Sequence, residues 1–413
     1  MSIIVKDFKE KLEVKGKQDI YTRKTKKLIL TYKDENSNVH VPLAYAIEKG
    51  YKVDEKDHGK IEGKVVGNFR NEEQKEAFIA AHKALKKDGY FFMALRCAFG
   101  KTFEGCILSV ALGLKTLVIT HRVLLSDQWM ESIKQFTTLK GFHITSNLED
   151  GHDIYVCGEK LIKKLPEKFL KSIGFLVVDE TREFCTQDRI DCMLSFTPKY
   201  VLALSANVER PDKLHTALNY IFGKNILRKI STKEFQVYKL YTEYKPVLKQ
   251  TVTGNLDWNE VISSISDIEE RNKMIAKLAN LNADKKILIL CKRKNQADIL
   301  FKMLKEMNES VEIMYGDKSE YESCRILIGT ISKLGIGFDD KMSCKTFDGI
   351  RFNVLILASD VLECEQCIGR IFRTDETPIV YDIVDDFSTF RKHSHERDRW
   401  FTSRNGKIQE KYL

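Results

Sequence analysis

The sequence predicts an α/β protein in which two doubly wound, parallel-sheet domains follow a small α+β unit. From residue 71 onwards, short apolar runs alternate with helical segments, which is typical of parallel strands buried between helices. The alternation pauses over residues 223–255 and then begins again, so the architecture is duplicated although no sequence repeat connects the halves. A chain of 413 residues is long enough for two or three domains.

The composition indicates a soluble globular protein, with 43% hydrophobic and 31% charged residues. No apolar run approaches the length of a membrane span, and the charged residues 6–11 do not resemble a signal peptide. The ten cysteines include one close pair, Cys364 and Cys367, without a second pair or a histidine at zinc-ligand spacing. We therefore expect free thiols in a reducing, intracellular compartment. The net charge of +9 permits a nucleic-acid partner without requiring one.

The first 66 residues read as a separate accessory unit without recognisable chemistry. Its predicted elements are strands over residues 27–32 and 39–43 and a helix over residues 44–49. Pro42 indicates a strand edge or strand end, and Gly50 closes the helix. A docking domain for a partner or for DNA and a plain structural cap both fit this unit. Basic residues cluster at 15–27 and again at 160–171, and a solvated face is the simpler interpretation of either cluster alone.

The remaining elements follow in two series. In the first series, helices are predicted from residue 71, from 103, over 124–136 and over 160–171, and strands from residue 91 and over 116–120, 154–157, 174–178 and 200–205. In the second series, helices are predicted over 259–282 and 295–308, and strands over 286–291, 311–314, 325–328, 354–357 and 379–383.

Residues 91–112 (FFMALRCAFGKTFEGCILSVAL) join an apolar strand to a helix through a loop ending in Gly100-Lys101-Thr102. Backbone N–H groups and the dipole at such a helix N-terminus favour phosphate. Lys101 would reach β- and γ-phosphates, and the Thr102 hydroxyl would bind Mg²⁺. A complete P-loop pattern has glycine in place of Leu95. Gly-Lys-Thr alone could therefore occur by chance. The motifs that follow it in the chain are what support its interpretation as a phosphate-binding loop.

The apolar run FLVV ends at Asp179-Glu180, which is where open α/β sheets bind ligands. Beside a P-loop, Asp179 would hold Mg²⁺, and Glu180 would orient or deprotonate an attacking water. An acidic pair in a turn after a strand is common by itself. Its combination with Gly-Lys-Thr makes the signal specific.

Further along, one strand ends in Ser205-Ala206-Asn207, and the second series contains GTISKLGIGFD, ending at Asp339, and EQCIGRIFR. Arg370 and Arg373 are three residues apart and therefore project from one face of a helix. They could clamp the γ-phosphate as arginine fingers. A surface charge stripe is the alternative.

These segments, in order, resemble the motifs of the superfamily 2 helicases. Motifs I, Ia, II, III, V and VI correspond to RCAFGKT, THRVLLSDQW, VVDE, LALSAN, GTISKLGIGFD and QCIGRIFR. The resemblance covers residues 66–390. The QW after motif Ia and the segment IVDDFSTFRKHSHERDRWF resemble the branch that includes the eukaryotic repair and transcription translocase. The compact form most resembles the transcript-release DNA helicases of poxviruses and other large cytoplasmic DNA viruses.

The resemblance implies an accessory domain over residues 1–66 and RecA-like domains over 67–230 and 231–413, facing each other across a cleft that holds ATP and Mg²⁺. It implies an ATP-dependent helicase, a nucleic-acid-stimulated ATPase acting in viral transcription or repair. The catalytic residues would be Lys101, Glu180, Arg370 and Arg373. The metal ligands would be Thr102 and Asp179. The nucleotide would be bound by Gln74, which reads adenine, and by Cys97, Ala98, Phe99, Gly100, Lys101, Thr102 and Asp339.

The partners that the resemblance implies are nucleic acid, DNA rather than RNA, and RNA polymerase or transcription factors. The nucleic-acid backbone would contact the segments around His121-Arg122 and Ser332-Lys333. A monomer located in the host cytoplasm or the virion is expected.

Three residues depart from the motifs of the family. Ala98 replaces a glycine of motif I, Arg182 replaces the final His or Asp of motif II, and Asn207 replaces the threonine of motif III. Two alternatives therefore stay open. One is a degenerate, helicase-shaped scaffold that binds nucleic acid or polymerase without turnover. The other, a small-molecule P-loop kinase, has little support because of the second α/β domain and its arginine pair.

Overall fold

The computed structural model describes residues 2–5, 8, 10–18, 25–34, 37–51, 57–96, 98–210, 212–230, 233–335, 338–362 and 364–413. The chain divides into two compact units, Met1–Lys229 and Ile230–Leu413. Each unit contains a parallel β-sheet, and the N-terminal strands belong to the first unit. The domain boundaries expected at residues 66 and 230 remain predictions.

The N-terminal part of the first unit consists of short antiparallel strands and a short helix. These elements are β1 (Ser2–Val5), β2 (Glu13–Gln18), β3 (Thr25–Ile29), β4 (Tyr32–Lys33), β5 (Val39–Pro42) and α1 (Leu43–Glu48). Strands β1, β5 and β4 form one antiparallel sheet, whereas β2 and β3 form a separate ribbon. The strand predicted over residues 27–32 is wrong as a single element. It divides after Ile29, where the Gln187 side chain binds both the N–H and the C=O of that residue.

The first parallel sheet lies between helices, as predicted. Its unit continues with α2 (Glu72–Asp88), β6 (Tyr90–Leu95), α3 (Lys101–Leu112), β7 (Thr116–Thr120), α4 (Val123–Phe136), β8 (Gly141–Ile144), β9 (Ile154–Gly158), α5 (Glu167–Ser172), β10 (Phe175–Val178), α6 (Gln187–Leu194), β11 (Tyr200–Ser205), α7 (Thr216–Phe222) and β12 (Ile226–Lys229). The strand order is β12-β6-β11-β10-β7-β9-β8, and all neighbours are parallel. The carboxyl ends of β6 and β10 therefore lie at the same edge, separated by β11.

Two predictions in this unit need correction. The helix predicted over residues 160–171 is a 3₁₀ helix, Glu159–Lys164, followed by α5. Pro166 separates them because it has no N–H to donate and disfavours helical geometry in the residue before it. Strand β12 lies in the stretch that is predicted to be irregular, and the sequence does not predict β8, α6 or α7.

The second unit repeats the architecture with its own elements. These are β13 (Phe235–Tyr241), α8 (Trp258–Ser266), α9 (Glu269–Leu281), β14 (Ile287–Cys291), α10 (Lys294–Glu306), β15 (Val311–Met314), β16 (Ile326–Thr330), α11 (Ile331–Leu334), α12 (Asp340–Ser343), β17 (Val354–Leu357), α13 (Glu365–Ile368), β18 (Ile379–Val384), α14 (Ser388–Ser403) and β19 (Gly406–Tyr412). The order is β15-β16-β14-β17-β18-β13-β19, again with parallel neighbours. The predicted duplication of a doubly wound sheet is confirmed.

The single helix predicted over residues 259–282 is wrong, because the chain forms α8 and α9 there. Asp257 caps α8 by accepting hydrogen bonds from the N–H groups of Asn259 and Glu260. Ile268 then adopts an extended conformation before α9 begins. Strand β13 also lies in the stretch that is predicted to be irregular, and the sequence does not predict α14 or β19.

The described cysteines are buried, and none of them forms a disulfide, as expected for reduced thiols. In the part of the chain that the structure describes, every helix is too short or too polar to cross a membrane.

Candidate active site

The loop between β6 and α3 contains two residues with a left-handed backbone conformation. Ala98 and Gly100 both lie in the left-handed region, with φ values of 62° and 108°. Helix α3 begins at Lys101, directly after the loop. The structure thus brings Ala98, Phe99, Gly100, Lys101 and Thr102 together, whereas Cys97 lies outside the described residues.

The side chain of Gln74 is hydrogen-bonded to this loop. Its side chain is 2% exposed, its Nε2 donates to Phe99 O at 3.2 Å, and its Oε1 accepts from Arg70 N at 2.9 Å. Arg70 Nη2 donates to Ala98 O at 2.8 Å. A Cβ atom added to Gly100 would lie 2.5 Å from Gln74 Nε2, so the close approach requires glycine there. Gln74 therefore lies at the loop, where it was predicted to read adenine, and its amide is bonded to the protein.

Lys101 forms an ion pair with Glu180. Lys101 Nζ lies 2.6 Å from Glu180 Oε1, and both side chains are largely buried. Glu180 follows β10 with a left-handed backbone (φ 47°), which turns the chain sharply after the strand. The two groups predicted to act on the γ-phosphate and on water thus meet at one edge of the sheet.

Asp179 is buried beside this pair, with 5% of its surface exposed. Its Oδ1 accepts a hydrogen bond from Glu180 N at 2.9 Å, and its Oδ2 accepts one from Trp129 Nε1 at 2.8 Å. Burial and the neighbouring Glu180 charge raise the pKa of Asp179, while Lys101 and Trp129 act in the opposite direction. A buried cation would balance this carboxylate.

Sequence reasoning missed the role of Trp129. Its indole is 1% exposed and belongs to α4, and the same ring lies against Gly105 of α3, where a Cβ would be 2.4 Å from Trp129 Cη2. One side chain thus joins the helix that begins after the phosphate loop to the predicted metal ligand. In the sequence, the QW pair indicates only a family resemblance. A tryptophan on the buried face of a helix does not indicate by itself that its N–H binds a carboxylate.

Glu104 was also missed. It lies in the first turn of α3 with no exposed surface, and both its carboxyl oxygens lack a hydrogen-bond partner among the described residues. Burial raises the pKa of Glu104 to about 8, although the charge of Arg70 opposes the shift. Nothing in the structure explains why a carboxyl group occupies this position.

The residues at and next to the departures in motifs II and III form hydrogen bonds within the first unit. Thr181 Oγ1 donates to Val178 O and Leu204 O, which ties the end of β10 to β11. Ser205 Oγ donates to Asn207 O at 2.6 Å. The carbonyl of Arg182 accepts a hydrogen bond from Arg210 Nη1 at 3.0 Å. Motifs II and III are therefore linked by the hydroxyl of Thr181 within the first unit.

In the second unit, the two predicted arginine fingers bond to Gly335, Phe338 and Asp339. Arg370, 9% exposed, donates from Nη1 to Phe338 O at 2.8 Å. Arg373 Nη1 lies 2.6 Å from Asp339 Oδ2, which draws the predicted nucleotide ligand Asp339 into the same cluster. Arg351 and Arg373 help to hold the pKa of Asp339 below its ordinary value despite burial. Gly337 lies outside the described residues.

A basic cavity of about 520 Å³ opens where β14, β15 and β16 end. Its lining residues are Lys292, Arg293, Lys294, Gly316, Thr330, Ser332 and Lys333. Helix α10 begins at Lys294 and directs its N-terminus to this region. The segment Ser332-Lys333 was predicted, whereas the three consecutive basic residues before α10 were not. Their signal in the sequence is the short basic run directly after a buried strand.

The other predicted nucleic-acid segment, His121-Arg122, lies in the first unit just after β7. Both side chains are half-buried. Burial lowers the pKa of His121 and of Arg122, and the Glu183 charge opposes both shifts.

Comparisons with known proteins identify relatives in sequence and in fold. No protein-family model matches the chain. A protein named "Putative helicase 161L", from Invertebrate iridescent virus 6, is 32% identical over 379 residues, which cover 83% of this chain and 83% of that protein. A relative from Acanthamoeba polyphaga mimivirus, named "Putative ATP-dependent RNA helicase", is 26% identical over 353 residues, covering 80% of this chain and 67% of that protein.

A solved structure of S. cerevisiae Dbp5 bound to RNA and ADP BeF3 is similar in fold. It covers 81% of this chain and 89% of that chain with a TM-score of 0.55 at 14% sequence identity. The fold and the site define a P-loop protein with two tandem RecA-like domains. The chain belongs to the superfamily 2 helicases of large DNA viruses, which are ATP-dependent enzymes.

Proposed function

We propose that the chain hydrolyses ATP with Mg²⁺ at the loop of its first unit and uses the turnover to move along DNA, in transcription or repair of a large DNA virus. One observation carries the proposal. Lys101 Nζ and Glu180 Oε1, from residues 79 positions apart in sequence, lie 2.6 Å from each other beside the buried Asp179. Bound ATP would supply the γ-phosphoryl group that is hydrolysed.

The residues present fit a triphosphate. Glycine at position 100 lets the side chains of Gln74 and Arg70 approach the loop closely, and the first N–H groups of α3 have no acceptor within the helix and can bind an anion. Cys97, Ala98, Phe99 and Gly100 would surround the phosphates through their backbone. Lys101 would exchange Glu180 for the β- and γ-phosphates, and Gln74 would bind adenine.

The same edge offers oxygen ligands for Mg²⁺. Thr102 has a hydroxyl group, and Asp179 has a carboxylate oriented by Trp129 and by Glu180 N. No group of three or more His, Cys, Asp or Glu side chains suited to a metal occurs among the described residues. A site of one carboxylate completed by phosphate and water is the usual arrangement for Mg²⁺. Glu180, released from Lys101, would orient the attacking water.

Arg370, Arg373 and Asp339 of the second unit are proposed to act on the nucleotide as well. In this role the arginines neutralise the charge that develops on the γ-phosphate during hydrolysis.

The basic cavity of the second unit is proposed to hold a nucleic-acid backbone. Lys292, Arg293, Lys294 and Lys333 provide positive charge, and the N-terminus of α10 adds backbone donors. His121 and Arg122 are proposed to contact the backbone in the first unit. Contacts of this kind make binding salt-dependent and nearly independent of base sequence.

We propose that the nucleic acid along which the chain moves is DNA, because the compact form resembles DNA helicases of large DNA viruses. RNA is the second candidate, since the mimivirus relative is named as an RNA helicase. We further propose a monomer that works with RNA polymerase or transcription factors in the host cytoplasm or virion.

The decisive experiment measures ATPase rates without nucleic acid and with single-stranded DNA, duplex DNA or RNA. Lys101→Ala should abolish hydrolysis, whereas Lys83→Ala, at an exposed site on α2, should not. We expect DNA to stimulate the wild-type rate more than RNA does. Equal ATPase rates in wild type and Lys101→Ala would mean that the loop has no part in the mechanism. Stimulation by RNA alone would mean that the chain moves along RNA and not along DNA.

A further inference from the structure

The β2–β3 ribbon presents a basic face to solvent. Val14 and Leu28 are directly opposed and buried, with 6% and 3% of their surface exposed, and they form the inner face. Side chains alternate along a strand, so the neighbouring pair Lys15–Lys27 lies on the outer face. Both lysines are exposed, as is Lys17 beyond the irregularity in the ribbon.

The direct pairing of Lys15 with Lys27 places like charges opposite each other, which destabilises a ribbon. Lys15 has a partial counter-charge, since its Nζ lies 3.5 Å from Glu13 Oε1. Lys17 and Lys27 form no ion pair with any other residue that the structure describes. The fold therefore leaves most of the charge on this face uncompensated, which is the arrangement expected of a surface that binds an anion.

The ribbon is held firmly on the first unit rather than projecting as a loose arm. The Gln187 side chain of α6 accepts a hydrogen bond from Ile29 N at 2.8 Å and donates one to Ile29 O at 2.9 Å. On the other strand, Lys17 N donates to Asp212 O at 2.7 Å. Next to it, Gly16 lies so close that a Cβ would be 2.9 Å from the same carbonyl oxygen. The lysines are thus presented on a fixed backbone.

We propose that the outer face of the β2–β3 ribbon binds the phosphate backbone of a nucleic-acid duplex, at a site separate from the cavity proposed for the translocated strand. The charge of the face is complementary to a polyanion. The inference rests on the proposed function only in that nucleic acid is the ligand.

A duplex fits this face better than a single strand. Proteins that bind single strands stack bases on aromatic side chains. The described residues of β2 (EVKGKQ) and β3 (TKKLI) include no aromatic residue, and the outer face offers mainly lysine ammonium groups. Such a surface can contact phosphates but has, among its described residues, no aromatic ring on which an unpaired base could stack. Binding there should consequently be independent of base sequence.

The test compares Lys15→Gln/Lys17→Gln/Lys27→Gln with a control of equal charge change, Lys160→Gln/Lys164→Gln/Lys168→Gln, at exposed lysines of the second basic cluster. The affinity of the full chain for a fluorescent DNA duplex is measured at several salt concentrations. Three lost phosphate contacts should make the negative slope of log K against log salt less steep by about 2.7. Between about 50 and 200 mM salt, wild type and control should then lose about fortyfold more affinity than the ribbon variant.

Further measurements separate the possible causes. Lys15→Arg/Lys17→Arg/Lys27→Arg should bind duplex as wild type does, and the glutamine variant should retain its melting temperature because the like-charge pair is gone. The glutamine variant should keep the wild-type ATPase rate at saturating single-stranded DNA. If the wild-type protein itself showed no ATPase activity, that result would count against the proposed function and not against the ribbon site. Equal slopes for the ribbon variant and the control would overturn the proposal. An equal loss of single-strand binding would overturn the assignment to a duplex.

Discussion

The indole N–H of Trp129 donates a hydrogen bond of 2.8 Å to Oδ2 of Asp179, the carboxylate proposed to bind Mg²⁺. The same ring packs against Gly105, one turn after Lys101 in α3. Trp129 therefore holds the proposed metal ligand in a fixed orientation relative to the helix that begins after the phosphate loop. It acts through Asp179 and is a positioning residue.

Trp129→Phe should lower the apparent affinity for Mg²⁺ in the ATPase reaction by about tenfold, because groups that orient a metal ligand typically contribute that much or more. Phenylalanine cannot donate this hydrogen bond and also lacks the ring atoms that lie against Gly105, so the control variant must lose the same atoms. Titration of the ATPase rate with Mg²⁺ at saturating ATP measures the change. Trp400→Phe is the matched control, since the indole N–H of Trp400 has no hydrogen-bond partner among the described residues. Identical Mg²⁺ titrations for both variants would contradict the role of Trp129.

Ala98 adopts a φ of 62°, a conformation that is unfavourable for residues with a Cβ. Ala98→Gly should raise the free energy of unfolding by up to about 1 kcal/mol, because the relief of strain exceeds the entropy that glycine gains in the unfolded chain. ATP affinity should be preserved or improved. Chemical denaturation and nucleotide titration measure the two quantities. Ala80→Gly, within α2, should instead destabilise the protein by about 1 kcal/mol. Weaker ATP binding by Ala98→Gly would mean that the loop depends on the methyl group.

Glu180→Gln should slow hydrolysis by about a hundredfold or more while ATP binds at least as tightly as in wild type. The rate falls because a neutral amide cannot accept the proton of the attacking water. Binding is kept because the carboxylate that competes with phosphate for Lys101 is gone. Single-turnover hydrolysis and nucleotide binding are measured separately. Glu183→Gln, in the adjoining 3₁₀ helix, serves as the control and should hydrolyse ATP normally. If Glu180→Gln lost affinity and rate together, the ion pair would be structural.

The elements that the sequence predicts best are the fully buried strands. Strands β7 and β11 are found at the predicted residues because every side chain in them is buried, so the apolar run and the strand coincide. Helix breaks are harder to predict. Asp267 and Ile268 interrupt a continuous helical pattern through local backbone geometry, which hydrophobic periodicity does not report. Strand β19 has mostly exposed side chains at the sheet edge, so it produces no apolar run.

The site shows the same division. That Lys101, Asp179 and Glu180 lie together could be predicted from their places after parallel strands, while their roles stay predictions. The contacts of Trp129 and Arg70 could not, since each depends on which helix faces which loop after folding. The Lys15–Lys27 pairing could not be predicted either, because the register of the two strands, which contains an irregularity, decides which charges are opposed.

Arg373 provides the last prediction, which concerns the second unit. Lys101, Thr102, Asp179 and Gln74 all belong to Met1–Lys229, so Arg373→Ala should leave nucleotide binding largely intact. Turnover should fall by about a thousandfold or more, as expected when an arginine that stabilises transferred phosphate is lost. Stimulation by nucleic acid should disappear with it.

The matched control is Arg351→Ala, because Arg351 also pairs with Asp339 and Asp340 but lies outside the segment that contains Arg370 and Arg373. Nucleotide binding and the stimulated ATPase rate are measured for both variants. If Arg373 acts on the phosphate, only its removal stops turnover, and Arg373→Lys restores part of the rate because charge without the guanidinium fork remains. Equal, mild effects of both alanine variants would mean that Arg373 only balances the charge of the two aspartates. The proposed role of this arginine pair would then be wrong, while the phosphate loop and Glu180 would keep theirs.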